Sequence, residues 1–191
     1  MAVQSAVSLK DVYPDADITL FTHADFIDHR SSIFNDLITD IPVHPRAKMW
    51  CAARTPYQST VYLDSDTMVL EEDVKDMHAY NENYDISFQK LRNGSAGKLA
   101  WEYADENLQY RLEHHGGLYT FNKTDLVIDF FNTWYNEYKK QISGNWNLPY
   151  NRENRQWDML TLWRLFNEEE FARFKELKVG RIHDRYNVTP K

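Results

Sequence analysis

The sequence contains a single cysteine, Cys51, among its 191 residues. One cysteine cannot form a disulfide bond within the chain, and this indicates a reducing compartment. No apolar run reaches the roughly 20 residues that a membrane-spanning helix needs, and the N-terminus lacks the basic-then-apolar pattern of a signal peptide. We therefore expect a soluble, cytoplasmic protein without a membrane span.

Basic residues are outnumbered by acidic ones. The chain has 22 Lys and Arg residues against 29 Asp and Glu residues, which gives a net charge of −7 at pH 7. Proteins that bind nucleic acid or an anionic membrane surface present a basic face to it. The charge therefore argues against both partners, but it allows an anionic small ligand that is held through a metal ion.

No repeat, low-complexity tract or Pro/Gly/Ser-rich linker divides the sequence. The length and the hydrophobic fraction of 42% are sufficient for a substantial core, so we predict a single domain over residues 1–191. The aromatic fraction is 15% and includes six tryptophans. Flat aromatic faces suit the stacking of sugar rings, although packing in a core is the more frequent role of such side chains.

Strand and helix patterns alternate along the chain. The β-rich runs are ITLFT, TVYL, DISFQ and GLYTFN. Helical patterns cover Ala2–Lys10, the segment RAKMWCAARTPY after Pro45, a segment that Thr124 can cap and that runs to Gln141, and ENRQWDMLTLWRLF. This alternation predicts an α/β domain with a mixed, mainly parallel central sheet flanked by helices. Ligands of such sheets bind beyond the carboxyl ends of the strands.

Two aspartates, Asp64 and Asp66, follow a predicted buried strand in TVYLDSDTMVL. A second D-x-D, formed by Asp15 and Asp17, lies in a proline-containing turn ahead of a strand, where acidic residues are ordinary turn formers. Carboxylate oxygens are ligands of Mn²⁺ and Mg²⁺. Two carboxylates alone make a weak site, which a bound diphosphate would complete. The pattern therefore allows two interpretations: a metal site formed by Asp64 and Asp66, or a solvated acidic turn.

Several segments, in this order along the chain, resemble the GT-A glycosyltransferases, in particular the retaining type represented by glycogenin and the bacterial galactosyltransferases of family 8. RAKMWCAARTPYQSTVYLDSDTMVL is similar to the family's central block, in which a lysine on a helix precedes a strand and D-x-D. HHGGLYTFNKTD resembles the family's F-N-x-G-V block, and WDMLTLWRLF resembles its D-Q-x-x-L-N helix. The resemblance covers most of the chain and implies a GT-A, Rossmann-like fold.

The resemblance implies transfer of a hexose-type sugar from a UDP-sugar to an acceptor hydroxyl on a glycan, with retention. Mn²⁺ or Mg²⁺ would be the cofactor, bound by Asp64 and Asp66. Asp158 would act in catalysis by stabilising charge at the anomeric carbon. A leaving phosphate oxygen can take the acceptor's proton in such chemistry, so the protein mainly positions and neutralises. Further residues that the resemblance places at the donor are Lys48, Ser65, His115, Gly116 and Gly117. Trp157 and Trp163 could wall the acceptor site or belong to a buried helix face.

The chain departs from the family at two places. The family has a strand with contacts to the uracil base before its first helix, whereas AVQSAVSLK at the start of this sequence resembles that first helix. The family also takes a third metal ligand from a histidine within an H-F-x-G motif near its C-terminus. That motif is absent here, and His183 in RIHDRYN is the nearest candidate.

Two other functions are compatible with the same residues. VYLDSDTM is also similar to the D-x-D-x-T/V motif of haloacid dehalogenase phosphatases, whose first aspartate is a nucleophile, although Met68 takes the place of the Thr or Val. The other alternative is a non-catalytic module that binds a sugar nucleotide or a glycan. Metal-dependent release of UDP from UDP-sugars would separate an enzyme from such a binding module.

Overall fold

A computed structural model of the chain describes residues 1–44, 46–90, 114–143 and 158–186. Pro45, Trp157 and the first residues of the helix predicted in ENRQWDMLTLWRLF lie outside these ranges. Within them, no helix combines the length and the apolar character that crossing a lipid bilayer requires.

The described residues form α-helices and β-strands that alternate along most of the chain. The helices are α1 (Ala2–Val12), α2 (Lys48–Ala52), α3 (Tyr80–Asn83), α4 (Asp125–Ser143) and α5 (Asp158–Asn167). The strands are β1 (Thr19–Phe21), β2 (Asp36–Ile38), β3 (Ser59–Leu63), β4 (Ile86–Lys90), β5 (His114–Asn122) and β6 (Val179–Ile182). Shorter 3₁₀ segments are Ala24–Phe26, His29–Ile33, Glu72–Ala79, Glu169–Glu176 and Asp184–Tyr186. The predicted α/β class is confirmed, and the elements that were not predicted are β2, α3 and β6.

The strands form two separate sheets, one of two parallel strands and one of four strands of mixed direction. One sheet contains β1 and β2, and the other has the order β3-β5-β4-β6. The β1–β2 and β4–β6 pairs are parallel, whereas β5 runs antiparallel to both β3 and β4. The mixed character of the predicted sheet is confirmed, with β3, β4 and β6 in one direction, but the sequence did not reveal that β5 runs against them. The reason is that a strand buried on both faces is an apolar run in either direction, so its own residues do not reveal its orientation.

A cavity of about 740 Å³ separates the two sheets. It is lined by residues of β1, of β3 and of α1. Among the described strands, β1 pairs only with β2 and β3 pairs only with β5, so the facing edges of β1 and β3 are unpaired. The Thr19 hydroxyl donates a hydrogen bond to the Tyr57 hydroxyl at 2.7 Å. This bond connects the two sheets near the starts of β1 and β3. One end of the cavity is lined by Asp64, Ser65 and Asp66.

Helix α4 contributes much of the hydrophobic core. As predicted, Thr124 caps it: the Thr124 hydroxyl oxygen accepts a hydrogen bond from the Val127 amide at 3.3 Å. Phe130, Trp134 and Tyr138 lie along one face of the helix and are at most 2% exposed. Burying side chains of this size stabilises the fold by about 1.5–3 kcal/mol each. Core packing is therefore the role of Trp134, and it fixes α4 against the sheet that carries the candidate site.

Candidate functional site

Strand β3 carries the two aspartates to its carboxyl end, as the sequence predicts. The strand ends at Leu63, and the Asp64 carbonyl then accepts a hydrogen bond from the Thr67 amide at 3.0 Å. This bond closes a β-turn with Ser65 and Asp66 at its tip. Asp64 is half-buried, whereas Ser65 and Asp66 are exposed. The acidic turn and the candidate metal ligands are thus the same feature, with one carboxylate facing inward and the other at the rim.

Lys48, at the first turn of α2, connects three elements of the site. Its ammonium group donates a hydrogen bond to the Gly116 carbonyl at 2.6 Å. It also forms an ion pair with Asp158 at 3.0 Å and a longer one with Asp64 at 3.7 Å. The Lys48 side chain is only 10% exposed. Because this ammonium group lies within ion-pair distance of both Asp64 and Asp158, it holds the two carboxylates together.

Asp158, the first residue of α5, is buried, with a side chain only 7% exposed. Its main-chain carbonyl accepts a hydrogen bond from Trp134 Nε1 at 3.0 Å, which attaches the start of α5 to the core. Asp158 Oδ2 is fully buried. It lies within ion-pair distance of Lys48 Nζ, but this contact does not have the geometry of a hydrogen bond. This oxygen therefore retains capacity to accept a further hydrogen bond.

Gly116 and Gly117 lie within β5, not in a turn before a strand. A Cβ atom on Gly117 would lie 2.9 Å from Asp64 Oδ2 and 2.7 Å from His115 Cε1. A Cβ atom on Gly116 would lie 3.3 Å from both Asp158 Oδ2 and Lys48 Nζ. Contacts under 3.0 Å force a displacement, so a larger residue at position 117 would shift the side chains of Asp64 and His115.

His115 points into the same cluster. Its Nδ1 accepts a hydrogen bond from the Gly117 amide at 3.2 Å, which requires a neutral ring with its proton on Nε2. Burial lowers the pKa of His115, and the Lys48 ammonium lowers it further, while Asp64 and Asp158 oppose the shift. A neutral His115 is therefore a hydrogen-bond donor through Nε2 at physiological pH.

Tyr62 is a contact of Asp64 that the sequence analysis missed. Its hydroxyl donates a hydrogen bond to Asp64 Oδ1 at 2.7 Å. Burial raises the pKa of Tyr62 well above its ordinary value, so the hydroxyl stays protonated and can donate. The available signal was the i, i+2 spacing of the two residues, since such side chains lie on the same face of an extended chain.

The donor set fits a hard divalent cation in part. Asp64 and Asp66 offer carboxylate oxygens, which suit Mn²⁺ and Mg²⁺. Lys48 is the one cation within ion-pair distance of Asp64 and Asp158 in the described part of the chain, so three carboxylates leave an excess of negative charge. In that same part no three His, Cys, Asp or Glu side chains are grouped as a metal site. The two aspartates would therefore need oxygen atoms from a ligand or water.

His183 lies away from these aspartates. It is exposed and follows β6, which is separated from β3 by β5 and β4. Three strand spacings amount to about 14 Å, far more than the separation of two ligands on one metal ion. The strand order of the described sheet therefore does not place His183 beside Asp64.

The informative comparison with known proteins comes from solved structures. No protein-family model matches the chain, and no curated protein sequence matches it significantly. Among solved structures, the chain is similar to the glycosyltransferase GlyE of Streptococcus pneumoniae TIGR4, with a TM-score of 0.53 at 13% sequence identity. The match covers 97% of this chain and 43% of GlyE, so the chain spans less than half of that protein's length. At this identity the likeness shows the fold, which is one that a glycosyltransferase uses.

Proposed function

We propose that this protein is a metal-dependent glycosyltransferase that moves a hexose-type sugar from a UDP-sugar to an acceptor hydroxyl on a glycan. The observation that carries the proposal is the convergence of Lys48, Asp64 and Asp158, from α2, β3 and α5, on the glycine-containing start of β5. These segments are far apart in the sequence, and the fold that joins them is similar to that of a glycosyltransferase.

Asp64 and Asp66 would hold Mn²⁺ or Mg²⁺ together with the diphosphate of the donor. A cation bound there would neutralise the charge of the leaving diphosphate and so make it a better leaving group. The local excess of carboxylates supports this assignment, because a divalent cation compensates it. Ser65, exposed between the two aspartates, would lie against the donor.

Asp158 is the residue we assign to the sugar. Its buried Oδ2 keeps acceptor capacity, and it is held in place by Lys48 and by the attachment of α5 to Trp134. An accurately fixed carboxylate can bind a sugar hydroxyl and stabilise positive charge that develops at the anomeric carbon. His115 would donate a hydrogen bond from Nε2, and the absence of a Cβ atom at Gly116 and Gly117 would let the donor approach the β5 backbone.

The contacts of the two buried or half-buried carboxylates also support transfer with retention of the anomeric configuration. Among the contacts of the described cluster, Asp158 is engaged by Lys48, and Asp64 by Tyr62 and Lys48. Neither carboxylate is thus set up as a general base, which suits a reaction in which a departing phosphate oxygen takes the proton of the acceptor. The ¹H NMR spectrum of the sugar released from a UDP-α-sugar would show the α-anomer first if the configuration is retained.

A non-catalytic module that binds a sugar nucleotide is the second candidate. It is favoured by the low exposure of the Lys48 side chain, which is engaged by Gly116, Asp158 and Asp64, and by the exposure of Asp66. Such a protein would bind UDP-sugars with the same residues but would release no UDP.

The deciding experiment measures release of UDP from a panel of UDP-hexoses by the purified protein, with Mn²⁺, with Mg²⁺ and with EDTA. Slow release that requires the metal is the expected result for the transferase. Binding of a UDP-sugar without release would identify the binding module. The proposal would be refuted if the protein neither bound any donor in the panel nor released UDP from it.

A further inference from the structure

Tyr62 and Tyr119 form a stacked pair beneath the candidate site. They lie directly opposite each other on β3 and β5, and their ring centroids are 4.4 Å apart with an interplanar angle of 11°. Tyr119 is fully buried and contacts Phe88, Phe131 and Trp134. The ring of Tyr62 is thus fixed against the core, and its hydroxyl group is a fixed point at the floor of the site.

The Asp64 carboxylate is oriented by what its two oxygens meet. Oδ1 accepts the hydrogen bond from the Tyr62 hydroxyl at 2.7 Å and faces Lys48 at 3.7 Å. Oδ2 lies on the side of Gly117, close enough that a Cβ atom there would be 2.9 Å away. Because the Asp64 amide also donates to the Gly117 carbonyl at 3.1 Å, the main chain of Asp64 is held as well as its side chain. The freedom that remains is rotation of the carboxylate, which the hydrogen bond from Tyr62 restricts.

We infer that Tyr62 is a positioning residue: it holds Asp64 by Oδ1 and so leaves Oδ2 as the oxygen available to a divalent cation. The cation rests on the function proposed above, whereas the orientation of the carboxylate does not. Residues that orient a metal-binding side chain commonly change metal affinity 10- to 100-fold when they are replaced, roughly the range expected here.

Tyr119 provides a matched control for the test. Its hydroxyl is also buried, belongs to the same stacked pair and has no hydrogen-bond partner among the residues that the structure describes. Tyr62→Phe and Tyr119→Phe therefore remove the same atom from the same pair of rings, and only the first removes a bond to Asp64. Both variants keep the stacked rings, and matching circular dichroism spectra and thermal midpoints would show that both fold.

The experiment has two measurements on the wild type and both variants. Crystal structures without metal would show the orientation of the Asp64 carboxylate, and calorimetric titration with Mn²⁺ in the presence of UDP would give metal affinity. We expect Tyr62→Phe to rotate the carboxylate and to weaken Mn²⁺ binding by about 10- to 100-fold. Tyr119→Phe should match the wild type in both measurements.

An unchanged Asp64 orientation in Tyr62→Phe would overturn the inference, as would an equal loss of Mn²⁺ affinity in Tyr119→Phe. If the wild type binds neither Mn²⁺ nor UDP, the proposed function fails. The crystal structures then still decide whether Tyr62 orients Asp64, so the two failures are distinguishable.

Discussion

Lys48 Nζ lies 3.0 Å from Asp158 Oδ2, and this ion pair joins the first turn of α2 to the first turn of α5. Both side chains are at most 10% exposed. A buried pair of charges contributes little net stability, but removing one partner leaves the other charge uncompensated. The starts of α2 and α5 are therefore held together by the ammonium group of Lys48, and the charge of Asp158 depends on it for compensation.

Replacing Lys48 by alanine is expected to destabilise the protein by about 3–5 kcal/mol, because Asp158 would be left buried without a cation. Urea unfolding monitored by circular dichroism measures this loss. Lys175→Ala is the control: it breaks an exposed pair with Glu169 and should cost much less stability, because water and salt screen such a pair. Similar losses in the two variants would contradict the buried character of the Lys48 pair.

Asp64→Asn and Asp66→Asn should each abolish metal-dependent release of UDP while the fold stays intact. An amide keeps the shape of the side chain but loses the negative charge that a divalent cation needs. The second D-x-D of the chain supplies the control, since Asp15→Asn changes an exposed aspartate of the same pattern in a turn before β1. Full activity of both Asp64 and Asp66 variants without added metal would refute the role given to this pair.

Asp158→Asn is expected to lower the turnover number more than it lowers donor affinity. The reason is that charge at the anomeric carbon develops in the transition state, after the donor has bound. Steady-state kinetics of UDP release, together with calorimetric titration of UDP, separate the two quantities. Equal losses in turnover and in affinity would reassign Asp158 to binding of the donor.

Gly117→Ala should reduce UDP binding and activity strongly, because its Cβ atom would lie 2.9 Å from Asp64 Oδ2 and 2.7 Å from His115 Cε1. Gly116→Ala, with nearest contacts at 3.3 Å, should have a smaller effect. Gly180→Ala in β6 is the control, since its Cβ atom would lie 2.3 Å from Ser87 Oγ, away from the site. It should cost stability, about 1–3 kcal/mol, without a specific loss of UDP affinity.

Protonation of His115 should make stability depend on pH. Its pKa in the folded protein is lowered below 6.5, chiefly by burial and next by Lys48, so the unfolded chain binds the proton more readily. The stabilisation that this residue contributes is then present above about pH 6.5 and is lost as the pH falls through 6.5 toward the folded pKa. His115→Gln should remove this part of the pH dependence.

Two measurements check the behaviour of His115. An NMR titration of its ring should give a pKa below 6.5 in the folded protein, and urea unfolding from pH 5 to 8 should show a smaller pH dependence in His115→Gln. His44 and His78 also have lowered pKa values, and the comparison with the wild type removes their contribution. A ring pKa of 6.5 or more would contradict the prediction.

Local patterns in the sequence predicted the elements that carry the site. The apolar run TVYL followed by Asp64 and Asp66 placed an acidic turn after a strand, and Thr124 marked the start of a long helix. The prediction that this strand is buried is wrong, since all five residues of β3 are half-buried. These signals are local, because apolar periodicity and capping residues act over a few neighbouring positions. The short strands β2 and β6 were not predicted, because β2 begins with an aspartate and β6 contains a glycine, and both residue types are depleted in strands.

The amino-acid sequence by itself determined the α/β class, the apolar stripe of α4 and the position of Asp64 and Asp66 after β3. Tertiary structure alone decided the antiparallel direction of β5, the cavity between the sheets, the contact of Lys48 with Asp158 and the hydrogen bond from Tyr62 to Asp64. The physical reason is the distance along the chain over which each interaction acts. Residue patterns record which face of an element avoids water, whereas strand direction and ion pairing depend on packing between segments that are distant along the chain.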